Sequence, residues 1–332
     1  MQIEGPSHDS KKETSMTDTE STLAPPADGS PSQTFTVHDH HSNPRIKVVT
    51  LQPHLVAAFV NDVAHIEIQS LDFVPFRRFE LSDKMISRFG SALPAALYTI
   101  LTDRATGSLT VSIAEHTLDP DDFVRLATAF SHLIGLPNHD AMSGNYYARF
   151  VVEDTGESDS YLRQAYRTLP LHTDGTYTSE NTDWLLMMKM AERDVEGGMT
   201  RLLHLDDWSE IRAYRDDPYG RAQFEFRAPP SKNVDQELER PLFFHGPYGV
   251  SMSYIDQFIQ PKSLPEARYL QRLSDSLETS EGVTAVELPP GHLVMINNHF
   301  WLHGRAAFEP RINLRRELLR QRGTFKSDEF PL

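Results

Sequence analysis

From about residue 147 to the C-terminus, short apolar runs of strand length succeed one another with few helical stretches between them. The runs are 147–152, 184–190, 201–205, 251–255, 283–288, 292–297 and 315–321, and turn-forming residues separate several of them, notably Gly197-Gly198 and Pro289-Pro290-Gly291. A parallel α/β sheet needs a crossover helix between successive strands, and no regular alternation of that kind is present. The predicted fold is therefore mainly β with flanking helices, of the jelly-roll or sandwich kind. Two helices are legible. Residues 119–134 place Phe123, Leu126, Ala127, Phe130, Leu133 and Ile134 on one face, with Asp119 or Pro120 as the start and Gly135 past the end. Residues 263–279 carry a Ser263/Glu266 capping-box pattern and a Leu270, Leu273, Leu277 stripe.

Residues 1–43 are dominated by Ser, Thr, Pro, Asp and Glu, and Phe35 is their only aromatic. Such a stretch cannot bury enough apolar surface to offset its ordering entropy, so it is expected to be a disordered tail, with 44–332 as a single domain. The tail's His38, His40 and His41 resemble a metal cluster but read as a solvated run, because a site needs preorganised ligands. The early globular part is mixed, with a strand expected at 64–69.

The chain carries 47 Asp+Glu against 32 Lys+Arg, a net charge of −15, which disfavours nucleic acid and anionic membrane as partners. No stretch approaches the ~18 apolar residues of a membrane span. The first 23 residues show no basic-then-apolar signal layout, so a cytoplasmic protein is expected. The absence of cysteine excludes disulfides, zinc–cysteine sites, iron–sulfur clusters and thiol catalysis, so any metal must use His and carboxylate, and fifteen His are available.

In a strand, residues i and i+2 share a face, so His-x-Asp can present two ligands to one ion; a second His from a distant strand completes a face that leaves positions open for Fe(II) chemistry. Three such pairs occur, His65/Glu67, His172/Asp174 and His204/Asp206, and roughly two are expected by chance. His65/Glu67 reads as a surface pair. Asp206 reads as the N-cap of a helix over 208–215. His172/Asp174 is followed by Gly175, which lets backbone and ligand approach closely, and it lies just after the basic, aromatic stretch 161–167. Its distant partner is His303, with His292 and His299 as competitors.

The arginine-rich segment downstream of His303 favours it over those competitors. Arg315, Arg316, Arg320 and Arg322 fall within eight residues, and 316, 320 and 322 share one face of a strand with Leu318. Guanidinia on an inward face are costly unless they meet anions, and Arg suits bidentate carboxylate binding; a salt-bridged outer face is the competing reading. The Gly197-Gly198-Met199-Thr200 turn could add a hydroxyl beside an Arg for a dicarboxylate.

These residues resemble the Fe(II)/2-oxoglutarate-dependent oxygenases of the taurine dioxygenase type. More specifically, DAMSGNYYARFVV (140–152), SDSYLRQ (158–164), LHTDGTY (171–177), LLHLDDW (202–208), APPSKNV (228–234), YIDQFIQPK (254–262), INNHFWLHGR (296–305) and LRRELLRQRG (314–323) resemble the glutarate 2-hydroxylase family, induced on carbon starvation. The resemblance runs from about 45 to 325. It implies a double-stranded β-helix, Fe(II) held by His172, Asp174 and His303, 2-oxoglutarate and O2 as cosubstrates, and hydroxylation of glutarate to L-2-hydroxyglutarate with release of succinate and CO2 in lysine and glutarate catabolism. It also implies a homotetramer. Thr200 takes the position of a hydroxyl offered to 2-oxoglutarate, and Arg320 and Arg322 fall at the family's carboxylate-binding arginines, one for the cosubstrate and one for the substrate in either order, with Arg322 set beside Thr200 as a 2-oxoglutarate contact and Arg320 on the substrate. Spacing of the taurine dioxygenase type instead puts Arg316 on 2-oxoglutarate and Arg320 on the substrate. Asp174 argues for hydroxylation, since related halogenases lack that carboxylate. Another small-acid hydroxylase on the same scaffold and a non-catalytic diacid or metal sensor are the competing readings.

Overall fold

A computed structural model describes residues 33–113, 119–153, 166–228, 232–233, 237–309 and 311–326. Residues from Thr34 onward form one compact unit. The expected tail at 1–32 and the stretch SDSYLRQ lie outside the described residues, as do residues 161–165 of the basic, aromatic stretch.

Two strands decide the architecture. Trp184–Arg193 and Leu293–Asn297 pair with each other and are apolar on both faces. Leu186, Met188, Leu293 and Met295 join one hydrophobic cluster, whereas Leu185, Met187, Val294 and Ile296 join another. Period-2 alternation thus feeds two cores at once, which is why these runs lack the polar half of an ordinary surface strand. They sit centrally in an eight-stranded sheet of order 35–40, 43–51, 108–112, 293–297, 184–193, 315–325, 135–137, with Ala148–Glu153 also pairing with Arg315–Phe325. A four-stranded antiparallel sheet of order 284–286, 200–204, 301–305, 169–172 contributes Leu171, Leu202 and Leu302 to the second cluster. The fold is mainly β, a double-stranded β-helix, as expected.

The helices before residue 135 cover the outer face of the large sheet, whereas Leu264–Glu278 packs into the second cluster through Tyr269, Leu270, Leu273 and Leu277. Pro120–Ile134 starts where expected, the Asp119 carboxylate accepting from Asp122 N, and buries Phe123, Leu126 and Phe130. Leu264–Glu278 is capped by Ser263, and Glu266 reaches back to Lys262 N at 2.5 Å.

Three expectations are corrected. Residues 35–43 are not tail: Phe35–His40 pairs antiparallel with Asn43–Leu51, in which Ile46, Val49 and Leu51 are buried. A partner strand satisfies this polar segment's backbone, an effect that composition averaged over the stretch hides. The strand expected at 64–69 is instead a link between helices Pro53–Val63 and Ile68–Phe73. Asp206 caps no helix: the imidazole of buried His204 accepts from Asp206 N at 3.0 Å, while the Asp206 carboxylate pairs with Arg104 at 2.7 Å.

His132 lies buried on Pro120–Ile134 against Phe79, ring centroids 5.1 Å apart, with its Nδ1 2.9 Å from Thr128 O. Burial pushes its pKa down to about 4 from 6.5. Between those values the unfolded chain binds the proton and the folded one does not, so stability is full above about pH 6.5 and is lost as pH falls towards 4, by at most about 3 kcal/mol. Denaturant unfolding of His132→Asn beside the parent should show a difference that shrinks with acidification through that window; a difference constant with pH contradicts it.

Candidate metal centre and its cationic wall

The ligand positions follow from strand register. His172 ends the edge strand Leu169–His172 and stands opposite His303 of Trp301–Arg305 in the antiparallel ladder; their ring centroids are 4.1 Å apart. Asp174 follows in a turn clamped by Asn298, whose amide oxygen accepts from Asp174 N at 2.9 Å and whose amide NH2 donates to Asp174 O at 3.0 Å and Thr182 O at 2.9 Å. Gly175 is required here: its φ is +77° and a Cβ would come 2.3 Å from Thr182 Oγ1. The candidate ligand atoms of His172, Asp174 and His303 lie within 4.8 Å of one another, the only such group among the described residues.

The donors fit a metal. His172 Nδ1 is 2.8 Å from Pro170 O, which can only accept, so Nδ1 donates there and Nε2, 3.8 Å from Asp174 Oδ1, is the nitrogen turned to the other candidate ligands. His303 is buried with Nδ1 lacking a hydrogen-bond partner among the described residues, and burial pushes its pKa down to about 3, which keeps the ring neutral and able to ligate. Burial alone would raise the Asp174 carboxyl, but Arg320, then His303, His172 and Arg322, outweigh it and hold the group well below the usual carboxylate range. Two imidazoles and one carboxylate brought together in this way are the donor set typical of non-haem Fe(II).

The long strand Arg315–Phe325 supplies the wall beside this centre. Leu319 packs into the helix-side cluster, so Arg316, Arg320 and Arg322 face the other way, into the jelly roll. The salt-bridged outer face describes Arg315 alone, which pairs with Glu153 and with Glu317 at 3.2 Å, and not these three. Arg320 is spoken for: one terminal nitrogen donates to Asp174 Oδ2 at 2.9 Å and the other to Asp140 Oδ2 at 2.8 Å. Sequence reasoning did not anticipate that both ends of this fork meet protein carboxylates, nor did it find Asp140, which Ser143 N and Oγ hold at 3.0 Å. Arg322 lies beside Gly175 and 5.9 Å from the Tyr177 ring centroid, and its Nε is buried without a partner among the described residues.

Arg316 lies further along the strand. Its guanidinium and that of Arg305 lie 5.4 and 4.7 Å from the Phe308 ring centroid, and a Cβ on Gly198 would strike that ring at 1.7 Å. Burial, then the neighbouring Arg305 charge, pushes the pKa of Arg316 down to about 10, and its Nε has no partner among the described residues. Thr200 opens its strand directly opposite Arg305 and is buried. Arg305 was missed as a functional residue, although it stands two places after His303 and hence on the same strand face.

The competing histidines are accounted for. His299 Nε2 pairs with Asp183 Oδ1 at 2.9 Å, His204 Nε2 is 2.9 Å from Arg104 O, and His65 and Glu67 are exposed, as expected. His292 belongs to no metal-like group of described residues, and neither do His38, His40 and His41.

The CsiD family model matches residues 35–325. The chain is 43% identical to a glutarate 2-hydroxylase of Klebsiella pneumoniae (strain 342) over 94% of this chain and 95% of the relative. It is 45% identical to a glutarate 2-hydroxylase of Citrobacter koseri over 88% of this chain and 90% of the relative. Among solved structures, an asparagine oxygenase in complex with Fe(II), hydroxyasparagine and succinate superposes with a TM-score of 0.69 at 15% identity, covering 83% of this chain and 93% of that one. The non-heme iron oxygenase OrfP with Fe and α-ketoglutaric acid gives 0.65 at 18% identity over the same shares. Both likenesses concern the fold.

Outer-sphere partners of metal ligands typically contribute 10–100-fold to metal affinity. Anaerobic titration with Fe(II) should therefore find Arg320→Gln weakened by about that factor and Arg316→Gln within about threefold of the parent; equal affinities in all three contradict the assignment of Arg320 to Asp174.

Proposed function

The chain belongs to the CsiD family, and on that premise we propose that it is an Fe(II)/2-oxoglutarate-dependent glutarate 2-hydroxylase. Glutarate, 2-oxoglutarate and O2 are converted to L-2-hydroxyglutarate, succinate and CO2. The observation that carries this reading is the pair of buried arginines, Arg316 and Arg322, without a carboxylate bonded to them among the described residues, beside a two-His, one-carboxylate centre. A buried cation without an anion is costly, so such groups mark where an anionic ligand completes the charge balance.

Fe(II) held by His172, Asp174 and His303 supplies O2 activation coupled to oxidative decarboxylation of 2-oxoglutarate. The protein's residues supply placement. Pro170 O holds the His172 tautomer, and Asn298 fixes the turn bearing Asp174. Arg320 takes one oxygen of Asp174 and leaves the other facing His172. Arg316, with Arg305 on the same Phe308 ring and Thr200 opposite Arg305 in the ladder, receives the distal carboxylate of 2-oxoglutarate. Arg322, next to the metal turn, receives a carboxylate of glutarate, and Arg320 acts on the substrate through Asp174 rather than by direct contact. The surrounding apolar cluster excludes water.

No described helix is long and apolar enough to cross a membrane. Resemblance to the glutarate 2-hydroxylase family supports a cytoplasmic homotetramer acting in lysine and glutarate catabolism, with the small dicarboxylates glutarate, 2-oxoglutarate and succinate as its ligands.

Protein loaded anaerobically with Fe(II), 2-oxoglutarate and glutarate and then exposed to O2 should release succinate and L-2-hydroxyglutarate in equal amounts. Arg316→Gln should bind Fe(II) normally but lose about tenfold or more in affinity for 2-oxoglutarate, the worth of one charge-assisted hydrogen bond. Glutarate recovered unchanged while 2-oxoglutarate is consumed points to another small acid as substrate; binding of both diacids with no turnover points to a sensor.

A further inference from the structure

Lys232 is a cation that neither the ligand set nor the arginine strand accounts for. It lies in a short described stretch with Asn233, outside the sheets. Two contacts tie that stretch to the turn holding Asp140. Lys232 Nζ approaches Met142 Sδ at 3.7 Å, and Asn233, at φ 52°, donates to Ala141 O at 3.4 Å. The same turn presents Asp140 to Arg320, so Lys232 approaches the Asp140–Arg320 pair from a different segment than the strand-borne arginines. A thioether is a weak acceptor, and Lys232 forms no ion pair among the described residues. Burial, then Arg320, lowers its pKa, with Asp174, Asp140 and Arg322 also close enough to act on it. Both nearby carboxylates are already engaged by Arg320.

The charge count leaves one position to fill. Two diacids bring four carboxylates. One would go to the metal held by His172, Asp174 and His303, and the distal one of 2-oxoglutarate would meet Arg316. Glutarate keeps two, and Arg322 meets one of them. The geometry points to Lys232 as the anchor of the second glutarate carboxylate, and so as the residue by which the site tells a five-carbon diacid from a monoacid of equal length. This rests on the glutarate reading above. Lysine suits the task, because a mobile ammonium on a flexible stem can follow a substrate end that must move as the reacting carbon is positioned.

Calorimetric titration of glutarate and of pentanoate into anaerobic protein loaded with Fe(II) and 2-oxoglutarate tests this. The parent should prefer glutarate by about tenfold or more. Lys232→Met should bind glutarate about as weakly as pentanoate, Lys232→Arg should restore most of the preference, and 2-oxoglutarate affinity, which also reports that the site is folded, should be unchanged in both. A Lys232→Met protein that keeps the glutarate preference overturns the assignment, as does one in which the loss falls on 2-oxoglutarate instead. A parent protein that binds no glutarate overturns the function reading itself, and does so before any substitution is made.

Discussion

The imidazoles of His172 and His303 stand opposite each other in one antiparallel ladder, and the rest of the site depends on that register. A slip of one residue would turn one ring to the far side of the sheet. Trp301–Arg305 is held between two strands, paired residue by residue with Thr200–His204 on one side and, at His303 and Arg305, with His172 and Leu169 on the other. The ladder is irregular immediately after His303, where Gly304 lies so close to the neighbouring strand that a Cβ would meet Leu169 O at 2.6 Å. Such an irregularity beside a functional residue aims its side chain. On the outer edge, Leu171 N–H donates to Glu278 Oε1 at 2.7 Å, which ties the metal-bearing strand to a helix end.

A second constraint is charge. The protein is acidic overall, yet the face of the large sheet turned into the jelly roll carries Arg316, Arg320 and Arg322. Asp140 and Asp174 both pair with Arg320. Net charge therefore says little about the pocket: the outside repels anions at long range, while the inside has a local excess of cations that small dicarboxylates can neutralise. The stacking of Arg305 and Arg316 on Phe308, made possible by Gly198, keeps two like charges close together, with no carboxylate of the described residues bonded to Arg316.

The helices show why some of the fold was legible and some was not. Asp119 and Ser263 make side-chain caps, and their two helices were read nearly to the residue. Pro53–Val63, Ile68–Phe73, Phe76–Phe89 and Ala92–Thr102 all begin without a side-chain cap hydrogen bond, so the start signals that sequence reading relies on are missing there. The ligand triad could be chosen from three His-x-acid pairs only through its context, above all the arginine strand. Asp140, Asn298 and Arg305 were not assigned roles, because what makes them matter is contact across 124 positions for Asn298 with Asp174, or sharing a face with a residue already chosen. Strand alternation placed Arg316, Arg320 and Arg322 on one side, but only the contacts separate Arg320, which serves protein carboxylates, from Arg316 and Arg322, to which no carboxylate of the described residues is bonded.

X-ray absorption on the anaerobic Fe(II)-loaded protein reads the ligand set of the metal. The first shell should hold two imidazole nitrogens and one carboxylate oxygen from the protein, with water at the remaining positions that 2-oxoglutarate displaces. A shell with a third imidazole or a second protein carboxylate, or one that 2-oxoglutarate leaves unchanged, contradicts that expectation.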